Sequence, residues 1–489
     1  MSSSHHHGPL HTLIHWGEHL LHIFLEFVWE IMMPPRNKHH RSEWYLFWLS
    51  VLGGGVISVF VILKSSGLPF NSFVTTISSF MYRWYPLWLP LLLGKLFLSM
   101  WMTYIRSDYI RKNPGMVLEV RVPKEITKSP KAMELFFSSI YEKGSVEYSE
   151  TYWQGKIRPW FSFELASFGG ELHFYIWTPV KYRNMVESQL YAQYPTVEII
   201  EADDYAKNKV YDSKKNFMWG TYFKLTKPDP YPIMTYVDYG LDKETEEEYK
   251  VDPLSSLLEY IGSIKSGEEV WIQILVMAHA ELGIKEGRLF KHREWIAEGH
   301  AEVNKIMKRN AETKSSRSVT AAGFPVIPTL TEWEKLQVEA IERSLNKRAF
   351  ETMIRLCYFA EPERFNIMSA TISGLLGTFR KPFNSNLLNG FKLGWYTDLT
   401  DPMKDFLFLF GLRDWGIRKF QPGYAHTMLD AYRRRSIFYA PYRNWEATPF
   451  ILTAEELATI YHIPGQVVTT PTFERIPSKK VEPPANLPI

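Results

Sequence analysis

Few clusters in this sequence have the residue types and spacing for chemistry. Between residues 10 and 33, His11, His15, Glu18, His19, His22, Glu26 and Glu30 recur at steps of three and four. Such steps gather side chains on one helical face, and His15, Glu18, His19 and His22 together resemble a metal-ligand set. No outer-shell partner accompanies them, and the wet stripe of a helix lying along a membrane surface explains the same spacing. We therefore expect no metal there. Arg433, Arg434 and Arg435 could clamp a phosphate by paired hydrogen bonds, or offer a basic patch to a membrane or to an acidic partner. Cys357, the one cysteine, lies in an apolar run where a thiol is buried and inert. His292, Glu294, Glu298 and His300 fall on a charged helix and read as solvated.

The usual catalytic signatures are missing. There is no H-E-x-x-H, C-x-x-C or G-x-S-x-G, and no dinucleotide fingerprint after a strand. A phosphate-cradling G-x-x-x-x-G-K-[ST] loop is missing too. Gly94-Lys95 lies in an apolar segment, and Gly374 to Gly377 runs into Thr378-Phe379-Arg380 without the Lys-Ser/Thr pair. Without that loop the chain is not expected to hydrolyse ATP, and no cofactor is implied.

The elements that would position these residues begin with two apolar stretches, Trp44 to Leu63 and Trp84 to Ile105. Each has the length of a membrane-crossing helix, and Trp and Tyr stand at their ends like an interfacial belt. Lys95, in the second, either pairs with an anion or snorkels to the headgroups. Arg36, Lys38 and Arg41 precede the pair and Arg106, Arg111 and Lys112 follow it. Basic flanks of this kind predict a transmembrane hairpin with both termini and the main body cytoplasmic. The expected division is an amphipathic helix and linker at 1–42, the hairpin at 43–112 and a large body beyond. A net charge of +3 over 489 residues gives no global field for nucleic acid, and one cysteine excludes a disulfide framework.

The body predicts an α+β fold. Residues 116–123 alternate as a strand, and Ser129-Pro130 opens a helix that ends at Gly144. Residues 160–177 read as two strands joined at Gly169-Gly170, Thr178-Pro179 starts a second helix, and residues 196–200 form a closing strand. Strand, helix, strand, strand, helix, strand is the ferredoxin-like βαββαβ order, expected over 113–205. The same order repeats over 215–400, with strands at 218–226, 269–278, 348–360 and 390–396. Helices at 253–264 and 362–376 belong to this second unit, and a helical insertion at 279–347 interrupts it. An excess of Lys and Arg over Glu between Ile284 and Arg317 reads as a solvated arm. Thr331 with Glu334 forms a capping box, and Thr453 with Glu456 another. Residues 401–465 are helical or irregular, and 466–489 are a proline-rich strap after Pro464, as though something should follow.

The two-helix anchor, the paired ferredoxin-like units and the ending FILTAEELATIYHIPG…TPTFERIPSKKVEPPANLP together resemble the N-terminal, membrane-proximal half of type IV secretion and conjugative-transfer ATPase-related proteins of candidate-phylum bacteria. In that family the strap would lead into a RecA-like motor. The missing phosphate loop departs from the motor half, so the resemblance implies a non-catalytic, membrane-anchored platform that recruits a separate hexameric P-loop ATPase. Its expected partners are the inner membrane, further copies of itself and that ATPase, with nucleic acid reached only indirectly. Thr453, Glu456, Pro464, Arg433, Arg434 and Arg435 are the expected partner-docking residues. Alternatives are a membrane-bound metal-dependent enzyme or sensor using the His/Glu helix, and an unrelated envelope scaffold.

Overall fold

The computed structural model describes residues 70–123, 128–144, 147–212, 217–243, 251–280, 295–307, 330–361, 365–397 and 413–465. The chain divides into two compact units, Met1–Ser99 and Met100–Ile489. Of the first unit, the start of a 43-residue helix is described, α1 (Phe70–Lys112). The His/Glu stripe and the stretch from Trp44 to Leu63 lie outside the described residues.

Helix α1 contains the whole stretch from Trp84 to Ile105, with Pro86 and Pro90 inside it. Among the described residues, no helix is long and apolar enough to cross a membrane. The expected transmembrane hairpin, and the inner-membrane placement resting on it, are corrected by this finding. The length criterion counts Trp and Tyr as apolar, yet each carries a polar N–H or O–H. Interleaved with Ser99, Thr103, two prolines and Lys95, they dilute the leucines below what hydrocarbon requires.

The second unit is built on one antiparallel sheet. Its strands are β1 (Gly115–Arg121), β2 (Trp160–Phe168), β3 (Glu171–Pro179), β4 (Glu198–Ala202), β5 (Phe217–Leu225), β6 (Glu269–Ala278), β7 (Ala349–Ala360), β8 (Phe391–Tyr396) and β9 (Phe450–Thr453). Their order is β4-β1-β3-β2-β6-β7-β5-β8. At twelve residues β7 is long enough to take β5 along one part of its edge and β9 along another. Between β2 and β3 the chain turns at Gly169 and Gly170, whose φ values of 60° and 101° are open to glycine at little cost.

The expectation of two ferredoxin-like units on a transmembrane hairpin is therefore corrected to one continuous nine-stranded sheet. Strand β2 does not end a first sheet. It pairs with β6 in nine registered positions, from Trp160 opposite Met277 to Phe168 opposite Glu269. Alternation in a sequence marks a strand, but the partner on its outer edge is chosen by backbone groups common to every residue.

Both faces of the sheet are covered, which is why β2, β6 and β7 are buried almost throughout. On one face Phe161, Phe163 and Leu165 of β2 join a core with helices α2 (Lys131–Ser139), α4 (Arg183–Gln193), α5 (Ser255–Gly262), α8 (Phe365–Arg380) and α10 (Ala454–Ile460). The short α3 (Tyr148–Tyr152) lies between α2 and β2 in the chain. On the other face Trp160 and Ala166 of β2 meet α9 (Arg413–Arg433) through Met428, Leu429 and Tyr432. In the insertion, α6 (Trp295–Ile306) and α7 (Glu332–Leu345) pack on each other through Val303, Val338 and Ile341. Glu298 and His300 lie on α6, whereas His292 and Glu294 are outside the described residues.

Candidate partner-docking site

The residues expected to dock a partner lie at two places, and most of them are drawn into the body. The first is the chain from Phe450 to Gly465. β9 pairs with Ala349–Thr352 of β7, and every residue of α10 is buried. The capping box forms as its spacing predicts. The Thr453 hydroxyl accepts from the Glu456 backbone N–H at 3.4 Å, and Glu456 Oε2 accepts from the Thr453 N–H and hydroxyl at 2.8 and 2.9 Å. Glu456 Oε1 accepts from the Ile233 N–H at 2.9 Å, tying α10 to a distant loop. Burial pushes the Glu456 carboxyl up to about 7, against these hydrogen bonds, which favour its charged form.

The neighbouring carboxylate ties α10 to the insertion. Glu455 accepts from the Thr235 hydroxyl at 2.8 Å and pairs with Arg343 and Lys347 of the α7 region at 3.3 and 3.4 Å. Lys347 also pairs with Glu134 of α2 at 2.6 Å. Beyond α10, the His462 Nδ1 faces the Ala458 carbonyl at 2.9 Å and its Nε2 faces Asp252 at 3.1 Å. Both partners only accept, so the ring is held as an imidazolium. Burial opposes that charge, but Asp252 and the carbonyl outweigh it and raise the His462 pKa above its ordinary value. Pro464 is buried as well, so Thr453, Glu456 and Pro464 anchor the end of the body and present no side chain to a partner.

The second place is the end of α9. Arg433 donates to the Ala206 carbonyl at 3.1 Å, and Arg434, which is exposed, pairs with Asp430 at 2.8 Å. Arg435 turns inward with a left-handed φ of 48° and is 1% exposed. It donates to Glu164 through Nε and Nη2 at 3.0 and 3.1 Å. It donates to Asp204 through Nη1 and Nη2 at 2.5 and 2.9 Å, and again through Nη1 to the Arg433 carbonyl at 2.9 Å. A guanidinium has five N–H groups, and here each has an acceptor. Nothing is left to hold a phosphate. Glu164 is shared with Ser162, Gln273 and Tyr205, at 2.6, 2.7 and 2.8 Å, and Tyr205 meets Tyr432 of α9 at 2.7 Å.

Of the three arginines, Arg434 is exposed, Arg433 is half-buried and Arg435 is closed to a partner. Glu164, Asp204 and Gln273 do not stand out when the sequence is scanned for motifs. The available signal is a charged residue inside the apolar run WFSFELASF, which has to be neutralised once both faces of its strand are covered. Cys357 is buried on β7, and burial pushes its thiol up to about 12, which fits an inert side chain. Among the described residues, no group of three or more His, Cys, Asp or Glu side chains could hold a metal ion. The His15, Glu18, His19 and His22 set lies outside those residues.

No curated protein matches this chain. Residues 108–475, which take in the whole sheet and both anchoring networks, match the family model described as Domain of unknown function (DUF8128), and the chain belongs to that family.

Proposed function

We propose that this chain is a non-catalytic assembly platform of a type IV secretion-like, DNA-transfer machine, which self-associates and recruits a separate hexameric P-loop ATPase. A membrane anchor forms no part of this proposal. Its main support is how the chain is fixed just before the proline-rich strap at 466–489. Strand pairing, a buried helix and the His462–Asp252 contact hold residues 450–464 in the body, so the chain enters the strap, which lies outside the described residues, from a firm base. A base of this kind suits a segment that carries load between the body and a partner. The resemblance of the same ending to transfer-machine proteins supplies the partner's class.

The test compares the full chain with one ended at Gly465, which retains β9 and α10. Each is tagged, incubated with lysate of its host, and its co-purifying proteins identified. We expect a P-loop ATPase with the full chain, its loss from the shortened one, and no ATP hydrolysis by the purified chain alone. Equal recovery by both forms, recovery by neither, or hydrolysis by the chain itself would each overturn the proposal.

A further inference from the structure

Helix α8 carries two glycines one turn apart, and only one has a packing reason. A Cβ on Gly374 would lie 2.2 Å from the Tyr260 hydroxyl, so this position requires glycine. A Cβ on Gly377 would meet only the Lys381 Cε at 3.8 Å, an ordinary contact. Glycine inside a helix is costly beside alanine, and nothing within the described chain calls for it at 377. Gly377 instead forms part of the floor of an open cleft of about 510 Å³, shared with Ser373, Leu376, Arg380 and Lys381. A second cleft of about 300 Å³ adjoins it over the same Gly377 and Lys381 and reaches Ser256 of α5.

The chemistry of the walls has one sign. Arg380 gives its Nε to the Phe391 carbonyl at 3.1 Å, and among the described residues no carboxylate pairs with it or with Lys381. The hydroxyls of Ser373 and Ser256 add neutral donors, and among the described residues no carboxylate lines either cleft. A planar fork, a mobile ammonium and hydroxyl donors suit a tetrahedral, multiply charged anion. The combined space is that of a small-molecule site. Among the described residues Arg380 and Lys381 are the two cations of the lining, with Leu376, Gly374 and Pro382 beside them, which favours a compact ligand over a long polyanion.

We propose that the cleft between α5 and α8 binds a small phosphorylated molecule, with its phosphoryl groups over Gly377 between Arg380 and Lys381. Because the glycines lie inside a helix, the site is unlike a phosphate loop between a strand and a helix. Calorimetric titration of the full chain with inorganic pyrophosphate tests it, beside citrate and a short single-stranded oligodeoxynucleotide. Gly377→Leu is expected to raise the melting temperature, because a better helix former replaces glycine, and yet to weaken pyrophosphate by about tenfold or more. Lys381→Gln is expected to weaken it by a similar factor with melting unchanged. Pyrophosphate that does not bind, that binds Gly377→Leu equally well, or that is matched by citrate overturns the proposal. Binding of the oligonucleotide alone overturns it too, in favour of a nucleic-acid surface.

Discussion

At the scale of single residues, the structure depends on a few charges taken out of water and paired there. Arg435 is the clearest case, since both Glu164 and Asp204 pair with it and all of its donors are used. Removing one member of a buried ion network leaves the others uncompensated, at a cost of about 3–5 kcal/mol. Arg435→Met should therefore lower the unfolding free energy by that amount, read as a lower denaturant midpoint at unchanged slope, whereas Arg434→Met, on the surface, should change it little. Glu456 and His462 give a pH dependence of definite sign. The folded Glu456 carboxyl, at about 7 against an ordinary 4.5, binds its proton more tightly than the unfolded one. Its contribution to stability therefore falls as pH rises from about 4.5 to 7. His462 is also raised in the fold, so its contribution is complete below 6.5 and is lost as pH climbs through the higher folded value. Denaturation across pH should show the lower slope abolished in Glu456→Gln and the upper one in His462→Gln. The sequence displayed these residues without their burial. A run of three arginines looks uniform, and only the left-handed turn at Arg435 separates the buried one from its neighbours.

At the scale of elements, local signals were readable wherever the backbone itself had to be satisfied. Both capping boxes form, at Thr331 with Glu334 and at Thr453 with Glu456, because an N-cap hydroxyl and a carboxylate three residues on serve the same helix end in any context. The glycine pair between β2 and β3 turns the chain as its residues require. Helix α9 falls in the stretch 401–465, expected to be helical or irregular, and runs on through Pro422-Gly423, residues that more often punctuate a helix. α1 failed in the opposite sense, because length and aromatic content stood in for true apolarity. Two outcomes distinguish a mere cap from a structural keystone at the chain's end. Thr453→Ala should cost about 1 kcal/mol, the usual loss for a helix cap. Ending the chain at residue 449 should abolish cooperative melting altogether. Leu457, Ile460, Tyr461 and Ile463 are all buried, and at roughly 1.5–3 kcal/mol each their loss approaches the stability of a whole domain. Far-ultraviolet dichroism and a thermal scan on the two variants would separate these cases.

At the scale of the whole second unit, the decisive contact joins β2 to β6, and no local pattern announces it. The strand order on one side of that line, β4-β1-β3-β2, is answered on the other by β8-β5-β7-β6, so the two halves meet through corresponding strands. Each half alone would expose one of these long strands along its whole edge. Ser162, Glu164 and Gln273 add a polar bridge across the line, with Glu164 accepting from Gln273 at 2.7 Å, and Arg435 closes it from above. Cutting the chain between β4 and β5 would open an unpaired, hydrophobic edge of nine residues on β2, the kind of edge that folded proteins cover or charge. Two separable units would melt in two steps and would each fold when expressed alone. One continuous sheet should instead give a single calorimetric transition, with the amides of β2 and β6 exchanging only through global opening. The fragments 108–205 and 215–465 should each be insoluble or unfolded alone. If either fragment melted cooperatively by itself, the β2–β6 line would be a docking interface between independent folds, and Glu164 and Gln273 would be its adhesive rather than part of one core.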